Sequence, residues 1–182
     1  MHRGIRVTFL LAPLVLVSLA TSACGYALAG RGSFLPDYIR IVGVPAFENK
    51  TSMFDIDRVL TESVRTEFSG RGRYSVQPDT NNVDAILTGI ITSVTSESTA
   101  FTSGSQASRV AIVVTASFEF RDLRTNKVLW SNTALRFREE YDTATTATGG
   151  DVAAFFGQNR NALQRLAQNF SRSVVTSILE AF

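Results

Sequence analysis

The chain holds one histidine, His2, one cysteine, Cys24, and only two lysines, Lys50 and Lys127. Each scarcity closes off a class of chemistry. A single thiol cannot form an internal disulfide, so no disulfide framework staples the fold. One histidine at the extreme N-terminus leaves no histidine-based triad and no His/Cys metal cluster. There is no glycine-rich phosphate loop leading into a helix and no GxSxG elbow. Nor is there an apolar run of about 20 residues, the length a membrane-spanning helix needs. These absences point to a binding or assembly role, with no enzymatic activity, cofactor or metal. Paired carboxylates are the one catalytic apparatus still open to the chain.

What is present begins at the N-terminus. Arg3 and Arg6 precede an uncharged, mostly apolar stretch from about Val7 to Ala20, and the small residues Thr21, Ser22 and Ala23 lead into Cys24. A charged start, an apolar run of roughly 7–15 residues and a small-residue cleavage site make a secretory signal peptide. An exported chain with one unpaired thiol requires an explanation. The stretch Thr21-Ser22-Ala23-Cys24 resembles a bacterial lipobox, in which the cysteine after the cut receives a diacylglyceryl group; Thr21 stands where leucine is usual. On that resemblance residues 1–23 are a lipoprotein signal peptide and Cys24 is the lipidation site. An ordinary cleavable signal with a cysteine nearby is the alternative. Each buried methylene adds roughly 0.8 kcal/mol of membrane affinity, so two or three acyl chains anchor a protein stably.

The 18 Lys and Arg residues outnumber the 16 Asp and Glu residues only while Arg3 and Arg6 are counted. Without the signal the chain is formally neutral and loses His2. Nucleic-acid binders carry a basic excess on one face, so no nucleic-acid partner is expected.

Residues 24–36 are glycine-rich and aperiodic, a lipid tether leading to a single domain over 37–182. Tyr38 to Phe47 is β-branched and aromatic, hence a strand, with Pro45 near its end. Met53, Ile56, Leu60, Val64 and Phe68 recur at helical spacing and predict a helix over Ser52–Phe68. Ser69 to Arg73 is a turn, Tyr74 to Val76 starts a strand that Pro78–Asn82 interrupts, and Asp84–Val94 reads as a buried strand. Ser93–Ser108 is Ser/Thr-rich around Phe101 and reads as a long hairpin loop. Val110, Ile112, Val114, Ala116, Phe118 and Phe120 alternate with polar residues, the mark of a strand with one covered and one open face. A turn over Asp122–Lys127 leads to the paired strand Val128–Tyr141, with Trp130 read as core. Leu163, Leu166, Phe170, Val174, Ile178 and Phe182 form the stripe of a C-terminal helix from about Asp151, with a possible break at Gly157. The expected fold class is α+β, a two-layer sandwich in the order β-α-β-β-β-α. Two helices pack on one face of a four-stranded mixed sheet.

Candidate contact residues follow from that layout. The open sheet face would carry Thr115, Ser117, Glu119, Arg121, Arg136 and Arg138. Phe101 is an apolar residue alone in a polar loop, placed to touch a partner or membrane, or to fold back on the sheet. Arg71 and Arg73 share a turn that suits a phosphate or is simply solvated.

Several segments together carry a resemblance. Cys24-Gly25-Tyr26-Ala27-Leu28-Ala29-Gly30 with Leu35-Pro36, then Val44-Pro45-Ala46-Phe47-Glu48-Asn49, the strand Asp84–Ile91, the turn Asp122–Trp130, Tyr141 and the terminal helix resemble the lipopolysaccharide-assembly lipoprotein family, LptE. The resemblance implies an outer-membrane lipoprotein facing the periplasm. It implies a plug inside an LptD-type β-barrel that helps the barrel assemble and binds lipopolysaccharide. Lipid A phosphates would be met by arginine, and the long loop offers only Arg109, at its end. Arg71, Arg73 and Arg124 are the other cations for such a site. Two further roles fit an anchored domain of this kind: a pilot or chaperone for another outer-membrane assembly such as a secretin, and a lipid-anchored carboxylate enzyme.

Overall fold

The alternation centred on Val114 becomes an interior strand of the sheet, next to its edge. The computed structural model describes residues 35–101, 107–142, 152–158 and 160–181. In chain order the elements are β1 (Ile41–Gly43), β2 (Glu48–Asn49), α1 (Ile56–Gly70), β3 (Ser75–Gln77), β4 (Ala85–Phe101), β5 (Ala107–Asp122), β6 (Lys127–Asp142), α2 (Val152–Gln158) and α3 (Arg160–Leu179). The strands form one mixed sheet in the order β3-β1-β4-β5-β6, with β2 also pairing β4. β1 runs parallel to β3 and β4, whereas β4, β5 and β6 form a long antiparallel meander. The helices cover one face.

That face is where the apolar residues go. Val110, Ile112, Val114, Ala116, Phe118 and Phe120 of β5 are all buried, as are Ile56, Leu60, Val64 and Phe68 of α1 and Leu166, Phe170, Val174 and Ile178 of α3. Burying a leucine, isoleucine or phenylalanine side chain stabilises by roughly 1.5–3 kcal/mol relative to exposure. The two stripes and the sheet therefore stand or fall together. Phe118 is the aromatic hub: its ring centroid lies 5.3 Å from Phe47, 6.0 Å from Phe170 and 6.4 Å from Trp130. Trp130 is partly buried and packs on the core, as expected from the sequence.

The structure corrects the expected fold class in its counts. The sheet has six strands, not four, and three helices are present among the described residues, not two. Tyr38–Phe47 is not one strand. β1 ends at Gly43, the amide of Phe47 donates to Thr61 Oγ1 at 3.0 Å, and Arg65 Nε donates to the carbonyl of Val44 at 2.9 Å. Side chains of α1 thus take the backbone groups a continuous ladder would use, and Pro45 has no N–H to offer. The residues after Tyr74 form a separate strand, β3, beside β1. The predicted loop from Ser93 is strand as far as Phe101, because Val94, Ser96 and Ser98 pair with Val114, Ile112 and Val110. The apolar partner strand carries a Ser/Thr run that could not hold itself extended. The C-terminal stretch divides into α2 and α3, with α2 ending at Gln158, just past Gly157. At the front of α1, Ser52 and Asp55 do not extend the helix as expected: Asp55 has φ 62° and its side chain makes no capping bond.

One glycine is demanded by packing. A Cβ on Gly89 would stand 2.6 Å from Phe118 Cε1 and 2.8 Å from Phe47 Cδ1, inside contact distance of two buried rings. Overpacking of this kind costs about 1–3 kcal/mol. G89A is expected to lower the unfolding free energy from urea titration by that amount. G157A, where a Cβ meets nothing within 4 Å, should hold or raise it by up to about 1 kcal/mol because alanine favours the helix.

Candidate functional site

The polar groups gather in two places, the sheet face away from the helices and the end where β1 and β3 begin. On the open face, β5 pairs Ala111 with Glu97 and Glu140, and Val113 with Thr95 and Arg138. Arg138 reaches Glu97 at 3.5 Å and Glu140 at 3.1 Å, and Arg109 reaches Asp142 at 3.1 Å and Glu140 at 4.0 Å. A connected chain of ion pairs thus crosses three strands beside two buried apolar residues of β5. Arginine stems readily lie along such surface. Nearer the β5–β6 turn, Arg121 donates to Glu119 at 2.6 Å and to Asn126. Exposed ion pairs contribute at most about 1 kcal/mol each, so the network's main effect is a polar, self-neutralised surface. Among the described residues Arg136, opposite Thr115, makes no ion pair and keeps its charge available. Phe101 ends β4 and is 64% exposed, so it does not fold back on the sheet.

The other end is tied by Asp122, which is buried. It accepts hydrogen bonds from the Tyr38 hydroxyl, from Thr125 Oγ1 at 2.6 Å and from the Arg124 amide at 2.8 Å. Burial works to raise the carboxyl's pKa, but these donors outweigh it and hold Asp122 below the ordinary carboxylate range. The same bond, with burial, raises the Tyr38 hydroxyl above its usual value. The Arg124 guanidinium sits 4.3 Å from the centre of the Tyr38 ring, a cation–π contact. Asp84 accepts the amides of Arg40 and Ile41, each at 2.9 Å, and these two bonds lower its pKa. At the far side of the sheet, burial pushes the Tyr141 hydroxyl up while it donates to the Ala162 carbonyl at 3.1 Å.

The structure places the sequence-predicted cations in two separate groups. Arg109, Arg136 and Arg138 lie on the open face towards the Phe101 end. Arg71, Arg73 and Arg124 lie at the Tyr38 end, with Arg121 beside the β5–β6 turn. Most are engaged: Arg71 binds Glu67 at 2.8 Å and Thr176 at 3.0 Å, while Arg73 reaches Asp37 only at 3.9 Å. Cys24 lies outside the described residues. Among those described, no group of three or more His, Cys, Asp or Glu could hold a metal, and no helix is long and apolar enough to cross a membrane.

A family model for lipopolysaccharide assembly, LptE, matches residues 39–178, most of the chain and every element of the sheet. The chain belongs to the LptE family. Among solved structures, a hypothetical protein of Chlamydia trachomatis has a TM-score of 0.50 at 10% identity, covering 76% of this chain and 95% of that one, and so shares the fold. The rare lipoprotein B of Shewanella oneidensis gives a TM-score of 0.48 at 13% identity, covering 72% and 92%. A lipoprotein of Neisseria meningitidis gives 0.44 at 16% identity, covering 71% and 99%. No curated protein matches.

Of the LptE-like segments read in the sequence, two stand together, because Ala85 pairs with Asp122, while Tyr141 lies at the far side of the sheet and residues 24–30 lie outside the described residues. Asp84 immediately precedes β4, Asp122 opens the turn before Trp130, and the link from Val44 to Asn49 runs beside β4, its end pairing with Ile90 and Ile91. Tyr38, Arg40, Asp84 and Asp122 were not singled out from sequence, because their partners are distant along the chain. Phe54 falls inside the span expected as helix but outside its apolar stripe, so nothing in the sequence marks it. It is 93% exposed, on a loop that the Asn49 side chain ties to Met53 and Thr51.

The depressed carboxyls set an expected pH profile. A carboxyl whose folded pKa lies below its unfolded value stabilises above the unfolded pKa, near 3.9. That contribution is lost as pH falls through the folded value. The urea midpoint should therefore stay level from about pH 8 to 5 and fall below about pH 4. D122N should lose about 1–3 kcal/mol at pH 7, the cost of breaking a buried polar cluster. It should also show a shallower acid decline than the parent chain.

Proposed function

We propose that this LptE-family chain is an outer-membrane lipoprotein, held by acyl chains on Cys24 and facing the periplasm. In that role it plugs an LptD-type β-barrel, assists its assembly and handles lipopolysaccharide on its way to the cell surface. The family match over residues 39–178 carries the reading. The architecture supports it in physical terms. A plug must stay rigid in a wide, polar barrel lumen, and the close-packed core of three helices on a six-stranded sheet favours that rigidity. The outward face is polar and largely neutralised by its own ion pairs, which limits the desolvation cost of entering such a lumen. Phe101, exposed at the end of a 17-residue strand, offers an apolar anchor to a barrel loop. Arg136 is the cation on that face best placed for a lipid A phosphate, with Arg109 and Arg138 beside it but already paired.

Extraction of native outer membranes in mild detergent, followed by capture of the tagged chain and mass spectrometry, tests the role. An LptD-type barrel should be recovered in near-equal amount. F101D and R136E should each lower that recovery several-fold without changing the urea midpoint. Recovery of a secretin instead would reassign the chain as a pilot, and recovery of no barrel would remove both readings.

A further inference from the structure

The parallel pairing of β1 with β3 sets Arg40 beside Tyr74 and brings Arg73 close, and the Ser75 amide donates to the Arg40 carbonyl at 2.8 Å to hold the register. Together with Leu35, Pro36, Asp37 and Ile39 these residues line a cleft of about 400 Å³, within the range of small-ligand sites. Its chemistry is amphiphilic. Leu35 and Ile39 are buried, and Tyr74 is half-buried with its ring edge-on to Phe68. Arg40 has no carboxylate partner among the described residues. Among the described residues the ion pair of Arg73 is with Asp37, at 3.9 Å, in contrast to the 2.8 Å pair of Arg71 with Glu67. Two arginines and one aspartate leave the cleft with one net positive charge. Two guanidinium forks against an apolar wall suit a phosphate that carries an apolar body. Burial raises the Tyr74 hydroxyl above its ordinary value, so at neutral pH it remains a donor.

We propose that this cleft binds the phosphodiester headgroup of an anionic glycerophospholipid, with Arg40 and Arg73 on the phosphate and the Leu35–Ile39 wall against the glycerol and first acyl carbons. A phosphodiester with an uncharged head group carries one negative charge, which matches the cleft. The choice of a membrane lipid as the source rests on the lipid-anchor reading. Cys24 lies eleven residues before Leu35, and an extended chain spans at most about 3.6 Å per residue. Acyl chains on Cys24 would thus keep Leu35 within roughly 40 Å of the bilayer surface. The site differs from the Arg136 face in position and in the ligand it takes.

The full chain, purified in a non-ionic detergent, would be titrated with dihexanoyl phosphatidylglycerol, dihexanoyl phosphatidylcholine and inorganic phosphate, using calorimetry. Saturable binding of phosphatidylglycerol is expected. R40A and R73A should each weaken it about tenfold, the loss expected for one charge-assisted contact, while R172A on the exposed side of α3 leaves it unchanged. Circular dichroism of each variant would show that the fold is intact. Equal binding of inorganic phosphate would overturn the lipid as the ligand. Equal binding of phosphatidylcholine, or of phosphatidylglycerol by R40A and R73A, would overturn the site. The intact mass of the same preparation reports the acyl chains on Cys24 separately, so failure of the anchor and failure of the cleft are distinguishable.

Discussion

Asp122 is a carboxylate out of water, and the structure at the Tyr38 end depends on its being satisfied. A buried carboxylate is costly unless donors surround it, and here three groups from two distant stretches do so. Tyr38 comes from the segment before β1, and Arg124 and Thr125 come from the β5–β6 turn. Asp84 repeats the device one strand away by taking two amides of the same incoming segment. The two carboxylates together fix where the chain enters the sheet and so fix β1 against β4. They also place Arg40 on the side of β3, where the cleft forms.

The core and the polar surface are divided by strand parity. One face of β5 carries the aromatic and branched residues that α1 and α3 cover, and the other carries the ion-paired face. Close packing demands Gly89 between Phe47 and Phe118, so the parallel edge and the meander are locked at the aromatic hub. Beyond the hub β4 and β5 stay paired as far as Phe101 and Ala107. A closely packed core and a polar face largely neutralised by its own ion pairs suit the proposed plug in a polar lumen. The two carboxyls with lowered pKa values, Asp84 and Asp122, hold backbone and side-chain donors.

Much was legible in the linear chain, and its physical basis is local periodicity. The α1 and α3 stripes, the alternation of β5, the β5–β6 turn and the two-layer α+β class all follow from residues within a turn or two of each other. The same holds for the absence of histidine from the domain and for the lipobox-like run ending at Cys24. Family resemblance was legible as well, because it lies in the combined order of short segments.

Tertiary structure alone decided the rest, wherever the determining partner is far away in sequence. Thr61 and Arg65 of α1 divide the expected first strand by capturing its backbone groups. The apolar β5 strand carries the Ser/Thr run of β4 into the sheet as far as Phe101. Tyr38 and Asp122 meet across 84 residues. The arginines looked equivalent as letters; folding paired Arg71, Arg121 and Arg138 with nearby acids and, among the described residues, gave Arg40 and Arg136 no ion pair. Periodicity reports which face a residue occupies. It carries no record of which charge will stand opposite, because that is set by strand register and helix packing.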